Sequence, residues 1–262
     1  MKTYRKRLGQ HFLASDEKAR RIVELARIGP SEHVVEIGPG KGILTERILN
    51  MGNPLTAIEL DPRLAEKLKR TYSGNPDFQI FVEDAAGFDY GRLKGPFKVV
   101  SNLPYSCAVP ILARLIEFKD KIPLMVLMFQ LEVAERITAK PGGKSYNALS
   151  IFAQYHSACA LEFVLSKKDF SPNTKVSSAV VRFAPSPAPP FAVEDERFFF
   201  ELVKTSFVHR RKKIINNLKA LPFDAGQVDK ACGICGIDPG QRAETVSMES
   251  FARLSNILKK GI

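Results

Sequence analysis

The chain has 262 residues, 45% of them apolar, enough for one large domain or a large one with a small companion and too many for a chain disordered throughout. The 39 Lys and Arg against 28 Asp and Glu leave a formal charge of +11, which favours polyanionic partners such as nucleic acid. No run approaches 18 uninterrupted apolar residues, residues 1–25 are charged throughout without an apolar core, and there are 4 cysteines. These features exclude an ordinary membrane span, argue against a signal peptide and suggest a reducing compartment, so a soluble cytoplasmic protein is expected.

After a basic cluster at Arg5, Lys6 and Arg7, short apolar runs alternate with helical patterns. HVVEIG (33–38), LTAIEL (55–60), FQIFVED (78–84), FKVVSNL (97–103) and IPLMVLMF (122–129) read as strands, most of them buried on both faces. Amphipathic stretches lie between them, among them PRLAEKLKRTY (62–72) with Leu64 and Leu68 on one side. The alternation predicts an α/β fold, a mostly parallel sheet with right-handed crossovers and helices on both faces. ACALEFVLS (158–166) and SSAVVRFA (177–184) follow without a helix between them and predict an antiparallel pair finishing the sheet. APSPAPPFAV (184–193), with four prolines, reads as a linker. Beyond it the pattern is helical, first over 198–221 and then around QVDKAC and MESFARLSNILKK. The expected division is residues 1–183, a linker over 184–193 and a small all-helical domain over 194–262. Cys232 and Cys235 form a C-x-x-C without a second pair or a His cluster, so ordinary helix or turn cysteines are expected and no metal.

The first strand ends in EIGPGKG, placing Glu36, Gly38, Gly40 and Gly42 in one loop. Glycines let the backbone turn sharply and approach a ligand, and the next helix offers free N–H groups. The spacing G-x-G-x-G differs from that of dinucleotide binders. Glu59 ends the second strand, where a carboxylate can accept from vicinal ribose hydroxyls; Asp61 competes for that role or caps the following helix. Asp84 ends the third strand and can accept from an adenine amino group. Three successive strands delivering polar groups to one rim suit a nucleoside with a carboxylate tail, S-adenosylmethionine, better than a dinucleotide.

The fourth strand runs into Asn102-Leu103-Pro104-Tyr105. An exocyclic amine on adenine or cytosine is a poor nucleophile, because its lone pair is delocalised into the ring. It needs acceptors: the Asn102 side-chain oxygen is one, and a carbonyl fixed near the rigid Pro104 is the second. Tyr105 offers a ring on which the base stacks.

The chain resembles, over nearly its whole length, the small-subunit ribosomal RNA adenine N6,N6-dimethyltransferase family. The likeness rests on RLGQHFL (7–13), EIGPGKG, Glu59, Asp84, NLPY, FSPNTKVSSAVV (170–181), SFVHRRKKIINNL (206–218) and RAETVS (242–247). The resemblance implies a Rossmann-like methyltransferase domain followed by a small helical domain. It implies transfer from S-adenosylmethionine to two adjacent adenines in a hairpin loop near the 3′ end of small-subunit rRNA, by a monomer acting on the ribosomal particle. By position, Gln10, His11 and Leu13 would touch the cofactor, Glu36 to Gly42 its methionine end, Glu59 and Leu60 its ribose, and Asp84 with Ala85 its adenine. Asn102, Leu103, Pro104 and Tyr105 would hold the target base, Asn102 touching the cofactor as well, with Phe170 as a second stacking surface. Two positions depart from the family: His11 stands where many members have Asn, and Thr174 where a second Pro is frequent, which puts the stiffness of that loop in question.

In FVHRRKKIINNL a helical period puts Phe207, Ile214, Ile215 and Leu218 on one arc and Arg210, Lys212 and Lys213 outside it, facing RNA phosphates or simply solvent. Arg211 falls inside the arc, so a buried acidic partner is expected, Glu244 being one candidate. Three rivals differ in residues. A large-subunit rRNA adenine methyltransferase fits RRKKIINNL and RAETVS poorly, a DNA adenine methyltransferase more often carries Pro at position 103, and a non-catalytic RNA-binding factor has no need of NLPY.

Overall fold

The structure is a computed structural model describing residues 11–261. The short strand β1 (Phe12–Leu13) leads into α1 (Asp16–Leu25), whose N-cap Ser15 accepts from the Lys18 N–H and whose Ala19, Ile22 and Val23 are buried at helical spacing. Then β2 (Val34–Ile37), α2 (Ile43–Asn50), β3 (Leu55–Glu59), α3 (Pro62–Thr71), β4 (Phe78–Val82), β5 (Lys98–Asn102), α4 (Ala108–Ile116) and β6 (Met125–Gln130) alternate as the sequence predicts. β2 and β3 are buried at every position, which is why they read as continuous apolar runs. Helices α5 (Leu131–Thr138) and α6 (Ala148–His156) precede β7 (Ser157–Leu165), β8 (Phe170–Ser171) and β9 (Ser178–Pro185).

The seven-stranded sheet has the order β4-β3-β2-β5-β6-β9-β7. The pairings from β4 to β6 are parallel and β9 runs antiparallel to β6, with Gln130 opposite Ser178. The order reverses at β2, between β3 and β5, where open α/β sheets bind ligands beyond the carboxyl ends of their strands. A separate two-stranded pairing joins β1 to β8, Leu13 facing Phe170. The core beneath this end gathers Leu13, Ile22, Val34, Leu44, Val100, Met128 and Phe170.

The chain divides into two compact units, one running to Ala134 and resuming over Cys159–Pro187, the other made of Glu135–Ala158 and Ala188–Ile262. The boundary expected at 183 is therefore corrected: residues 135–158 belong with the helical unit. Tyr146, Ile151 and Tyr155 lie in its core with Phe199, Leu218 and Phe251, a tertiary burial that local pattern does not reveal. The proline-rich stretch is not a free tether either, since Phe191 and Val193 pack against that core.

In the helical unit, α7 (Glu196–Ser206), α8 (Ile214–Leu218), α9 (Ala225–Ile234) and α10 (Met248–Lys260) follow. The helix expected across 198–221 breaks between α7 and α8. The Asn217 side chain, 4% exposed, accepts from the His209 N–H (3.1 Å) and donates to the carbonyls of Ser206 (2.8 Å) and His209 (3.3 Å). It thereby replaces helical hydrogen bonds with a turn over 207–213. Arg211 is exposed and has no ion pair among the described residues, so the expected buried partner is overturned. It is Arg210 that meets Glu244, at 3.5 Å, and donates to the Lys144 carbonyl at 2.6 Å.

Candidate active site

A cavity partly open to solvent lies at the reversal point of the sheet. His11, Leu13, Glu36, Gly38, Gly40, Glu59, Asn102, Leu103, Pro104 and Tyr105 line it, bringing ten of the expected positions together. The loop after β2 carries two glycines for which a side chain has no room. Gly40 has φ +58° and a Cβ there would stand 2.8 Å from Phe12 Cδ1; Gly42 has φ +91° and a Cβ 2.8 Å from Leu68 Cδ2.

Two carboxylates are buried on the cavity wall. Glu36, at the C-terminal end of β2 and 1% exposed, accepts from the Thr45 hydroxyl at 2.6 Å. Glu59, 4% exposed at the end of β3, accepts the Gly40 N–H on Oε2 (3.1 Å) and the Asp61 N–H on Oε1 (2.9 Å). Burial pushes the Glu36 carboxyl up to about 8, the Thr45 hydroxyl working against that rise and the Glu59 charge adding to it. Burial also raises Glu59, partly offset by the N–H groups of Asp61 and Gly40. Neither acid makes an ion pair among the described residues, so the wall offers two buried carboxyl groups without a protein counter-ion. Asp61 acts as the cap: its carboxylate accepts the Arg63 N–H and pairs with the Arg63 guanidinium, each at 2.9 Å.

Leu60, 46% exposed, follows Glu59. Asp84 is exposed just past β4, its Oδ1 accepting the Ala86 N–H, and the buried Ala85 offers its carbonyl to the Tyr90 hydroxyl. Asp84 and Ala85 stand at the expected strand end without lining the cavity wall.

Asn102 donates through Nδ2 to the His11 carbonyl (3.4 Å), and its Oδ1 has no partner among the described residues. The Pro104 carbonyl is taken by the Cys107 N–H (3.1 Å) and thiol (3.6 Å), whereas that of Leu103 has no partner among the described residues. Tyr105 is half-buried, its hydroxyl 2.5 Å from the Ser178 hydroxyl, and burial raises its ionisation range. The His11 ring lies 6.4 Å from the Tyr105 ring at 27° between planes, its Nδ1 donating to the Pro172 carbonyl at 3.0 Å. Phe170 is corrected: at 2% exposure it is part of the core beneath β1 and presents no stacking face. Thr174 donates to the Val176 carbonyl at 2.7 Å, so a hydrogen bond stiffens the loop where the family often has a proline.

Sequence reasoning missed Thr45 and Ser178. Thr45 was legible in principle, as a hydroxyl in the first turn of the helix after a glycine loop; no local signal marks Ser178. Gln10, Arg5, Lys6 and Arg7 lie outside the described residues. Among the described residues no cluster of three or more His, Cys, Asp or Glu is placed to hold a metal ion, and Cys232 and Cys235 are buried free thiols. No described helix is long and apolar enough to cross a membrane.

A cavity with unpaired buried acids and a glycine cradle fits a cationic nucleoside. Fold and site together define a Rossmann-like methyltransferase that uses S-adenosylmethionine. A solved structure of the 23S rRNA methyltransferase ErmE matches 95% of this chain and 99% of its own, with a TM-score of 0.73 at 25% identity. A dimethyladenosine transferase from Plasmodium falciparum shares the fold, with a TM-score of 0.76 at 23% identity over 93% of this chain and 96% of its own. The model of the family described as ribosomal RNA adenine dimethylase matches residues 1–260, and the chain belongs to that family. Ribosomal RNA small subunit methyltransferase A of Geobacter metallireducens is 39% identical over 97% of this chain and 95% of the relative. The protein of that name from Hydrogenovibrio crunogenus is 40% identical over 98% and 97%.

Proposed function

We propose that this rRNA adenine dimethyltransferase methylates N6 of two adjacent adenines in a 3′-terminal hairpin loop of small-subunit rRNA, acting as a cytoplasmic monomer on the ribosomal particle. The observation that carries the reading is the pair of unengaged acceptors at one cavity rim, Asn102 Oδ1 and the Leu103 carbonyl, beside the Tyr105 ring. The relatives named ribosomal RNA small subunit methyltransferase A support the choice of subunit.

The two acceptors take the two N–H bonds of the exocyclic amine. They draw the nitrogen toward tetrahedral geometry and free its lone pair, while Tyr105 stacks against the base and holds it out of its helix. S-adenosylmethionine supplies an activated methyl on a sulfonium. The chain's part is positioning, and the amine proton leaves to water once the nitrogen is alkylated. His11 and Leu13, the loop from Glu36 to Gly42, Glu59 with Leu60, and Asp84 with Ala85 form the donor-holding set. Gln10 belongs to that set by family position. The exposed cations of the turn, Arg211, Lys212 and Lys213, with Arg5, Lys6 and Arg7, supply phosphate contacts, and Arg210, held by Glu244 and the Lys144 carbonyl, keeps the turn in place.

Incubation with labelled S-adenosylmethionine and unmethylated small subunits, followed by mapping of the modified nucleotides, tests this reading. Label confined to two adjacent adenines is the expected result; label elsewhere, or in large-subunit RNA, overturns it. Asn102→Ala should abolish transfer while leaving donor affinity within a few-fold, and equal loss of both counts against the assigned role.

A further inference from the structure

The two buried acids of the cavity are not equivalent. Glu59 is held by main-chain N–H groups on both oxygens, whereas Glu36 is held by Thr45 alone, through its hydroxyl and more weakly through its main-chain N–H. The groups around Glu36 are Thr45 from α2, Glu59 at the end of β3 and Tyr72 after α3, with Lys41 lining the same cavity from the glycine loop; Glu46 acts on Tyr72 and Asp61 on Glu59. Lys41 is exposed and its ammonium stands 5.0 Å over the Phe12 ring, without an ion pair to Glu36. A carboxylate so deeply buried, next to a second acid and facing no cation, is costly to ionise in the empty cavity. The donor and the product of methyl transfer differ in one respect that such a group can sense: the donor carries a sulfonium charge and the product a neutral thioether.

We infer that Glu36 reads this charge, standing as a neutral carboxylic acid in the empty cavity and ionising when a cationic nucleoside enters, so that donor binding releases a proton that product binding leaves in place. The released proton passes to solvent. The ionised carboxylate then favours the donor, and loss of the sulfonium charge in transfer removes that preference, which speeds exchange of product for fresh donor. The burial that holds the Glu36 carboxyl near 8 makes the acid form dominant at neutral pH. The inference rests on the cavity being the donor site, as proposed above.

Titration calorimetry of the full chain at neutral pH, in buffers of different ionisation enthalpy, counts the protons released. The ligands are S-adenosylmethionine, its demethylated product, and an analogue with a protonated amine in place of the sulfonium. Both cationic ligands are expected to release most of one proton more than the product does. Glu36→Gln should remove that difference, which also controls for the ligands' own amino groups, and narrow the donor-to-product affinity ratio by about tenfold. Thr45→Val, which takes away the one hydroxyl favouring the ionised form, should move the pH midpoint of release upward, a shift that mere loss of packing does not produce. Equal release on donor and product, or undiminished release by the Gln variant, overturns the inference while leaving the donor site standing. Failure of either nucleoside to bind overturns the donor site and the inference together.

Discussion

The Glu59 carboxylate accepts the main-chain N–H of Gly40 at 3.1 Å and so fastens the glycine loop to the end of β3. Its other oxygen accepts the Asp61 N–H, at 2.9 Å. An amide in its place has one acceptor oxygen and turns an NH₂ group toward one of those N–H groups. Glu59→Gln is therefore not a silent isostere. One buried donor left unmatched costs about 1–3 kcal/mol, so donor affinity should fall by about tenfold or more in Glu59→Gln and further in Glu59→Ala. Calorimetric Kd values check this, and unchanged affinity in both variants removes Glu59 from the donor-holding set.

Gly40→Ala tests the same loop from its other side. At φ +58° an L side chain costs about 1–2 kcal/mol, and the added Cβ also meets Phe12 Cδ1 at 2.8 Å. Gly52, with φ +74° and no atom within 4 Å of its would-be Cβ, supplies the control. Gly52→Ala should lower the melting temperature with donor affinity intact, whereas Gly40→Ala should also weaken donor binding by about tenfold.

Much of this arrangement was legible in the sequence because an open sheet gathers the ends of its strands at one rim. EIGPGKG, Glu59 and NLPY each follow an apolar run, so recognising the runs placed the residues. What the sequence hid depends on contacts between distant segments. The Tyr105–Ser178 hydrogen bond spans 73 positions, and Phe170 is buried through the pairing of β8 with β1. Residues 135–158 look like part of the α/β domain until Tyr146 and Tyr155 are seen in the helical core. The turn over 207–213 escapes the pattern for a different reason. Phe207, Ile214, Ile215 and Leu218 keep a helical period, yet the buried Asn217 amide offers the backbone a competing set of partners.

Tyr105 has two separable roles, since its ring faces the cavity and its hydroxyl is anchored to Ser178. Tyr105→Phe and Ser178→Ala each remove one hydrogen bond, about 0.5–1.5 kcal/mol, and should lower kcat/KM by no more than about tenfold. Tyr105→Ala also removes the stacking surface, about 1–3 kcal/mol, and should fall by about a hundredfold in total. Donor Kd should move little in all three. If the Phe and Ala variants prove equal, the ring is not a stacking platform.

Glu36 also makes the stability of the empty protein depend on pH, with a definite sign. In the unfolded chain its carboxyl titrates near 4.5, and in the folded chain near 8. Between those values the folded state keeps a proton that the unfolded state has released. The stabilising contribution is therefore complete below about pH 4.5 and is lost as pH rises through 8. Glu36→Gln abolishes the titration. From pH 5 to pH 8 the wild-type melting temperature should fall by several degrees more than that of the Gln variant, corresponding to a few kcal/mol at most. Parallel pH profiles contradict this assignment.

The basic turn divides its charges between two tasks. Arg210 is engaged by Glu244 at 3.5 Å and by the Lys144 carbonyl at 2.6 Å, while Arg211, Lys212 and Lys213 are exposed without ion pairs among the described residues. Each phosphate contact contributes about 0.7–0.9 to the slope of log affinity against log salt, because binding releases condensed counter-ions. Alanine at 211, 212 or 213 should therefore lower that slope for small-subunit particles by about this amount for each phosphate that the cation had neutralised. Arg210→Ala should weaken binding with the slope nearly unchanged, since a guanidinium already paired within the protein displaces few counter-ions. Asn217→Ala, which frees the turn from its three hydrogen bonds, should behave like Arg210→Ala: the same cations are present but no longer held in place. Binding isotherms between about 50 and 200 mM salt separate the two classes. An Arg210→Ala slope change equal to that of Arg211→Ala places Arg210 on the RNA instead of in the scaffold.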